Sequence, residues 1–321
     1  MKGFVVGLIV LGGICLVGGA AVLAYGMHKG NINDNFVENE HTFEEDVDDI
    51  KINVGTANVD IRKADDGKVK VLCTEKEKIY HEVKVSNKKL IVKEIDERKW
   101  YQKYLFNWNF KSMSVAVYLP EDVYNDIAVD AATGHISIDK DFTFANMNLS
   151  SDTGAIKVNS KATGDVEINV HTGDVTLSGV DAKSLKIKTS TGDIRAKAAT
   201  IQETTTLQSS TGDVELYDLK GESLKAKTST GHVELTGTVM NSDMNIETST
   251  GHVKFFESDA KDIKVKTSTG AITGTLLTSK LFKGESSTGS VKFPEMSEWD
   301  QNGGTFEAKS DTGKIEIKIA K

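Results

Sequence analysis

The chain has 321 residues, of which 39 are basic and 47 acidic, giving a formal net charge of −8. This acidic balance argues against a nucleic-acid-binding protein, which presents a basic face to its ligand. Only two prolines occur, so a proline-rich stalk is excluded as well. The 28 glycines and the 38% of hydrophobic residues instead favour a β-rich protein with tight turns.

The first predicted element is the uncharged segment Phe4–Met27, which is long enough to cross a bilayer as a helix. A cleaved secretory signal usually has a shorter apolar region of about 7–15 residues. We therefore expect an uncleaved signal anchor, with cleavage as the second reading and lipidation of Cys15 as the third. The short N-terminal tail and its free amine favour a cytoplasmic N-terminus. The predicted location is the cell membrane, with a single pass and an extracytoplasmic C-terminal domain.

Four regions follow from this pattern. Residues 1–29 form the signal anchor and transmembrane helix, 30–48 an acidic juxtamembrane linker, 49–125 an N-terminal β region, and 126–321 a repeat region. Cys73 is the one cysteine outside the apolar segment, so it has no partner for an intramolecular disulfide. We expect Cys73 to be buried as a free thiol.

Within the N-terminal β region, residues 68–74 and 82–94 alternate in the manner of strands. Residues 95–112 interrupt this alternation with a dense group of aromatic side chains. We interpret this stretch as a cover over the open end of the repeat region and as the candidate partner-contact site. The candidate contact residues are Trp100, Tyr104, Phe106, Trp108 and Phe110.

The strongest signal in the sequence is a Thr-Gly pair that recurs every 19 or 20 residues, with one final spacing of 24. A fixed period near 20 indicates a solenoid. Two residues after each glycine stands an isoleucine or valine, and outward polar residues alternate with apolar ones on both sides. The glycines are Gly134, Gly154, Gly173, Gly192, Gly212, Gly231, Gly251, Gly270, Gly289 and Gly313.

Each repeat therefore predicts a strand, a tight Thr-Gly corner, a second strand and a short connection. The predicted fold is all-β: a single-stranded parallel β-helix of about ten rungs of 19–20 residues, preceded by one transmembrane helix. A β-sandwich would need antiparallel hairpins, and a propeller repeat is about twice as long. Thr189 and its equivalents either form an outward threonine array of the ice-binding kind or point inward as a hydroxyl ladder.

Within the repeat, two columns of corner residues are candidate ligand sites. Asp174, Asp193 and Asp213 occupy equivalent positions, and so do His232 and His252. Stacked acids could hold Ca²⁺ and stacked imidazoles could share a metal, but corner side chains more often bond to nearby backbone N–H groups. We therefore predict turn chemistry in both columns, and no cofactor, metal or catalytic residue.

The corner motifs Thr189–Asp193 and Ser209–Asp213, together with the approach segment Val115–Pro120, carry a resemblance. On these motifs, the chain over residues 45–321 resembles the bacterial putative-adhesin family of unknown function. The resemblance implies one N-terminal membrane helix before a β-helix of Ser-Thr-Gly-Asp repeats, in a Gram-positive cell envelope. It implies no catalytic residue.

The predicted function is therefore a non-enzymatic, membrane-anchored extracytoplasmic β-helix, acting as an adhesin-like or structural module of the cell envelope. Its predicted partner is a cell-envelope component or another membrane protein, and not a nucleic acid. The alternative is an extracellular β-helix enzyme acting on polysaccharides, which would need acids, lysine or arginine clustered in one outer groove. Outward positions such as Lys188, Lys227 and Glu247 instead mix both signs of charge.

Overall fold

A computed structural model describes residues 36–99, 112–295 and 303–321 of the chain. Every regular element within these ranges is a β-strand, and they hold no helix long and apolar enough to span a membrane. The predicted anchor Phe4–Met27 lies outside the described residues, so the transmembrane helix stays a prediction.

Seven strands precede the Thr-Gly repeat. They are β1 (Phe36–Phe43), β2 (Asp49–Val54), β3 (Ala57–Lys63), β4 (Val69–Lys76), β5 (Ile79–Ser86), β6 (Lys89–Asp96) and β7 (Met113–Leu119). The strands predicted at 68–74 and 82–94 are confirmed as β4, β5 and β6. β1 lies within the acidic segment 30–48, whose role as a linker stays a prediction.

The repeat region supplies the other strands. In chain order these are β8 (Val123–Thr133), β9 (Ile136–Ile138), β10 (Thr143–Thr153), β11 (Ile156–Val158), β12 (Lys161–Ala162), β13 (Asp165–Thr172), β14 (Val175–Ser178), β15 (Asp181–Ala182), β16 (Ser184–Thr191), β17 (Ile194–Lys197), β18 (Thr200–Thr211), β19 (Val214–Tyr217), β20 (Lys220–Thr230), β21 (Val233–Thr236), β22 (Val239–Met240), β23 (Asp243–Thr250), β24 (Val253–Ser258), β25 (Asp262–Thr269), β26 (Ile272–Leu276), β27 (Leu281–Thr288), β28 (Val291–Lys292), β29 (Thr305–Thr312) and β30 (Ile315–Ile319). Together they confirm a parallel β-solenoid, with about nine turns instead of the ten predicted.

One rung shows why the sequence folds in this way. β16 precedes the corner at Gly192 and β17 follows it, and each pairs in parallel with its equivalents in the rungs on either side. Leu185 and Ile187 on β16 and Ile194 on β17 are buried, while Lys186 and Lys188 alternate with them and face outward. A single rung cannot bury this apolar face, so stacking supplies the core.

The corners require glycine because successive rungs touch there. Gly192 has a φ of +143°, which side chains rarely adopt. A Cβ atom at this position would lie 2.1 Å from the carbonyl oxygen of Gly173 in the preceding rung. The Thr-Gly signal therefore records a close backbone contact as well as a tight turn.

An inward column of hydroxyl groups satisfies the corner carbonyls. Each serine or threonine three residues before a corner glycine donates to the carbonyl oxygen of the neighbouring corner glycine, at 2.8 to 3.2 Å. The donors are Ser151, Thr189, Ser209, Thr228, Thr248, Thr267, Ser286 and Ser310. This arrangement confirms the internal hydroxyl ladder, so the inward threonines present no outward ice-binding array.

The N-terminal end of the solenoid is closed by antiparallel strands. The first rung, β2 and β3, pairs in parallel with β8 and β9 on one side and with β6 and β7 on the other. Beyond that layer β5 runs antiparallel to β6, β4 runs antiparallel to β7, and β1 pairs with β4. These strands cover the parallel edges. Cys73 on β4 is a buried free thiol, as predicted.

The last two rungs are not stacked in the order of the sequence. β25 pairs with β29, and β27 pairs with the opposite edge of β29. The C-terminal segment is thus inserted between the rung of Gly270 and the rung of Gly289. The N–H and hydroxyl of Thr305 bond to Asp262 at 2.9 and 2.7 Å, which pins the inserted segment and lowers the pKa of Asp262.

The side chains of the displaced rung explain its terminal position. Gly284 stands on β27 where other rungs place an inward apolar side chain, and a Cβ there would meet the ring of Phe293 at 2.5 Å. Phe293 stacks on Phe282 with centroids 5.0 Å apart, and both rings pack against the buried Phe306 of the inserted segment. The rung therefore closes the C-terminal end as an aromatic lid.

Candidate functional site

An open polar depression of about 400 Å³ lies on the outward side of four consecutive rungs. Its outward walls come from two positions of the repeat, four and two residues before the corner glycine. These residues are Ser150, Asp152, Asn169, His171, Lys188, Ser190, Gln208 and Ser210. We call this set the polar cleft.

Short side chains explain why the surface is lower here. Ser150 and Ser190 contribute only a hydroxymethyl group each, on strands whose backbones lie about 4.8 Å from their neighbours. Further along one of the same columns, Lys227 and Glu247 form an ion pair of 3.0 Å across the strand surface. The column four residues before the corner glycine is therefore covered by longer side chains at Lys227 and Glu247 than at Ser150.

The polar cleft is rich in hydrogen-bonding groups. Serine hydroxyls and the amides of Asn169 and Gln208 both donate and accept, while Lys188 donates only and Asp152 accepts only. His171 is exposed and adds an imidazole at the rim. Such a set can bind a hydroxyl-rich or amide-rich ligand by hydrogen bonds.

The corner columns bond to the backbone of the next rung. The Oδ1 atoms of Asp174 and Asp193 accept the N–H groups of Asp193 and Asp213, both at 2.8 Å. Nδ1 of His232 accepts the N–H of His252 at 2.9 Å, and the two rings stack with centroids 5.0 Å apart. These contacts confirm that the corner acids and histidines satisfy backbone N–H groups.

Outward charges are paired from rung to rung. Arg195 contacts Asp193 at 2.6 Å and Glu215 at 3.1 Å, and Lys186 contacts Glu167 at 2.7 Å. The hydrogen bond from Lys186 lowers the pKa of Glu167. Exposed pairs of this kind contribute about 0–1 kcal/mol each and are typical of a solvated surface. Arg195 and Lys186 are therefore engaged with these acids on the surface of the stack.

The candidate contact residues Trp100, Tyr104, Phe106, Trp108 and Phe110 all lie outside the described residues. The stretch that contains them joins β6 to β7, the layer that covers the first rung. Their role as a cover or a contact site stays a prediction.

Sequence reasoning missed the polar cleft. In the sequence, Lys188 shares its outward column with Lys227 and Glu247, and this mixture of charges predicts only a solvated face. The available signal was limited to the column four residues before the corner glycine, where Ser150, Asn169 and Gln208 are neutral and the later repeats carry lysine or glutamate. The depression itself needs the side chains of four rungs in register, which only the stack supplies.

Comparison with known proteins supports the architecture. The Toastrack DUF4097 family matches residues 47–206 and 201–319, which together cover most of the chain. No curated protein matches the sequence significantly.

Two solved bacterial structures are similar to this chain. A putative lipid binding protein from Parabacteroides distasonis is 16% identical, with a TM-score of 0.50 over 75% of this chain and 97% of that one. A putative adhesin from Bacteroides fragilis is also 16% identical, with a TM-score of 0.44 over 88% of this chain and 97% of that one. At 16% identity, the similarity to the first of these structures concerns the fold alone.

Proposed function

We propose that this chain, which belongs to the Toastrack DUF4097 family, is a non-enzymatic, adhesin-like contact module of the bacterial cell envelope. In this proposal Phe4–Met27 anchors it in the cell membrane by a single pass, and the solenoid lies on the extracytoplasmic side. The observation that carries the proposed contact is the polar cleft, an outward depression of about 400 Å³ on a rigid stack.

The geometry of the cleft favours a polar polymer of the envelope as the partner. Its hydrogen-bonding groups repeat at the strand spacing of about 4.8 Å, so an extended chain with regular hydroxyl or amide groups can engage several rungs together. Because the strands that carry these groups are held by parallel pairing on both sides, little backbone freedom is lost on binding.

Association with the envelope tests this contact. The full-length protein in detergent would be incubated with envelope fragments of the bacterium that produces it, and the bound fraction measured against concentration. We expect His171→Ala combined with Lys188→Ala to weaken binding at least about tenfold, equivalent to about 1.4 kcal/mol. The control is Lys225→Ala combined with Asn245→Ala, which removes two exposed polar side chains six residues before other corners. Equal binding by both double variants would reject the cleft as the contact.

The same assay tests the aromatic stretch as the contact predicted from sequence. If Trp108→Ala weakens binding and the cleft variant does not, the contact lies between β6 and β7 instead. If the Trp108 variant and the cleft variant both bind more weakly, the partner contacts the protein at two sites.

Orientation in the membrane is tested on living cells. In the proposed orientation, the side of Phe4–Met27 that carries Lys2 stays in the cytoplasm, where the positive-inside rule places basic residues. Protease added to intact protoplasts should then degrade residues 30–321, as seen by an antibody against the solenoid. Full protection, with degradation only after lysis, would place the solenoid inside the cell and reject the extracytoplasmic proposal.

A further inference from the structure

Three strands at the N-terminal end of the solenoid bring four ionisable side chains into one buried cluster. Cys73 and Glu75 lie on β4, His81 on β5 and Glu94 on β6. The side chains of His81, Glu75 and Glu94 are 0%, 5% and 8% exposed, and Cys73 is fully buried. Ligand atoms of Cys73, Glu75 and His81 all lie within 4.8 Å of one another.

The imidazole of His81 stands between two carboxylates and is only half satisfied. Nδ1 lies 3.0 Å from Oε1 of Glu75, which also accepts the backbone N–H of His81 at 2.5 Å. Nε2 is buried and has no hydrogen-bond partner among the described residues. Oε2 of Glu94 lies 3.9 Å from it, beyond hydrogen-bond distance. A buried Nε2 that faces a carboxylate without a close hydrogen bond needs an explanation. An ion on Nδ1 supplies one, because the other ring nitrogen of a metal-bound histidine carries its proton toward such a group.

The negative charge of the cluster also favours a bound cation. Of the described residues, only His81 comes within ion-pair distance of Glu75 or Glu94. Asn39 donates to Oε2 of Glu75, and the N–H groups of Gly55 and Thr56 donate to Oε2 of Glu94 at 2.8 and 3.0 Å. Two nearly buried carboxylates with at most one cationic neighbour are costly, and a divalent cation would neutralise them.

We propose that Cys73, Glu75 and His81 bind a divalent transition metal of the zinc class, with Glu94 on the far side of the imidazole ring. Thiolate, imidazole and carboxylate are the ligands of zinc in proteins, whereas Ca²⁺ and Mg²⁺ take oxygen ligands. Nδ1, 3.0 Å from Oε1 of Glu75, is the ring nitrogen placed to share the metal with that carboxylate. Nε2 then carries the ring proton and faces Oε2 of Glu94 at 3.9 Å, the side on which metal-bound histidines usually have an outer-shell carboxylate.

A metal at this position would join β4 and β5 next to the covering layer β6 and β7. Without a metal, burial raises the pKa of Cys73 to about 12, so the thiol stays protonated. A coordinating cation reverses this preference, because a metal-bound thiol is deprotonated. The spectroscopic signature of thiolate coordination is therefore a direct readout of the proposed site.

Cobalt binding to the full-length protein tests the proposal. The chain would be purified in detergent without a histidine tag, stripped with chelator and titrated with Co²⁺ and then Zn²⁺. We expect one Co²⁺ per chain, a thiolate-to-cobalt charge-transfer absorption, and displacement by Zn²⁺. Because the chain has two cysteines, Cys73→Ser should abolish the absorption while Cys15→Ser keeps it.

Two further variants separate this cluster from the surface. His81→Gln should lower the metal affinity by more than the roughly 10–100-fold that outer-shell changes cause. His232→Gln combined with His252→Gln removes the exposed stacked pair and should leave the stoichiometry unchanged. If Cys73→Ser fails to fold, the absorption of the Cys15→Ser protein decides alone, since Cys73 is then the only thiol. Absence of stoichiometric binding or of the charge-transfer absorption, or loss of either in the corner variant, would overturn the proposal.

Discussion

Replacing Gly192 by alanine is expected to destabilise the solenoid by more than about 4 kcal/mol, a loss that few single substitutions reach. The new Cβ would lie 2.1 Å from the carbonyl oxygen and 2.5 Å from the carbonyl carbon of Gly173. Both atoms belong to a backbone that pairs on both sides, so neither can move without breaking the stack. The φ of +143° adds conformational strain to the steric clash. The measurement is the urea midpoint of unfolding, followed by circular dichroism.

Gly179→Ala is the matched control for the corner. Gly179 also has a positive φ, +66°, but a Cβ at this position meets no atom within 4 Å. Gly179→Ala should lower the free energy of unfolding only by the cost of a left-handed backbone, about 1–2 kcal/mol. Equal losses at Gly192 and Gly179 would mean that the corners need glycine only for conformation, and that the close approach of the rungs is not the constraint.

Replacing Val175 by aspartate is expected to cost at least about 4 kcal/mol, because it buries an unpaired charge in a middle rung. Val175 is fully buried on β14 between Ile156 and Ile194, its partners in the neighbouring rungs. Both register partners are isoleucines, so the new carboxylate must either stay charged between apolar side chains or take up a proton. Urea unfolding of the purified protein measures the loss.

Thr176→Asp introduces the same side chain one residue further along and serves as the control. Thr176 faces outward on β14, and its register partners are Lys157 and Arg195. An aspartate between two cations on an exposed sheet face should change stability by less than about 1 kcal/mol. A large loss at both positions would contradict the assignment of the inward face.

The interior of the solenoid was predictable because each rung repeats the same local instructions. Alternating apolar residues define one buried face, and a Thr-Gly pair marks each corner. Each of the ten similar segments therefore predicts the same structure independently. The turn chemistry of Asp174, Asp193 and Asp213 was predictable for the same reason, since a short acceptor next to a tight corner reaches a backbone N–H. The sequence left open whether Thr189 points inward or outward. Its hydrogen bond to the carbonyl oxygen of Gly173 shows that it points inward.

The polar cleft and the buried cluster were not predictable, because each joins side chains that are distant in sequence. The cleft needs outward residues from four rungs in register. The cluster draws Cys73, Glu75, His81 and Glu94 from three strands, without a spacing typical of metal ligands. The cluster forms because β4 and β5 run antiparallel at the end of a parallel stack. The repeat period of the sequence does not predict this change of strand direction.

The sequence by itself determined the rung: its length, its buried face and the glycine at its corner. These follow from local sterics and from an apolar pattern that any stacked copy must bury. Only the tertiary structure decided what happens at the two ends, where a rung has one neighbour instead of two. At the C-terminal end Gly284 leaves space for Phe293, so the rung of Gly289 serves as a lid and the C-terminal segment enters beneath it. The strand that occupies an end is the one whose side chains best cover the exposed core. The pattern of a single repeat does not show which copy lies at the end of the stack.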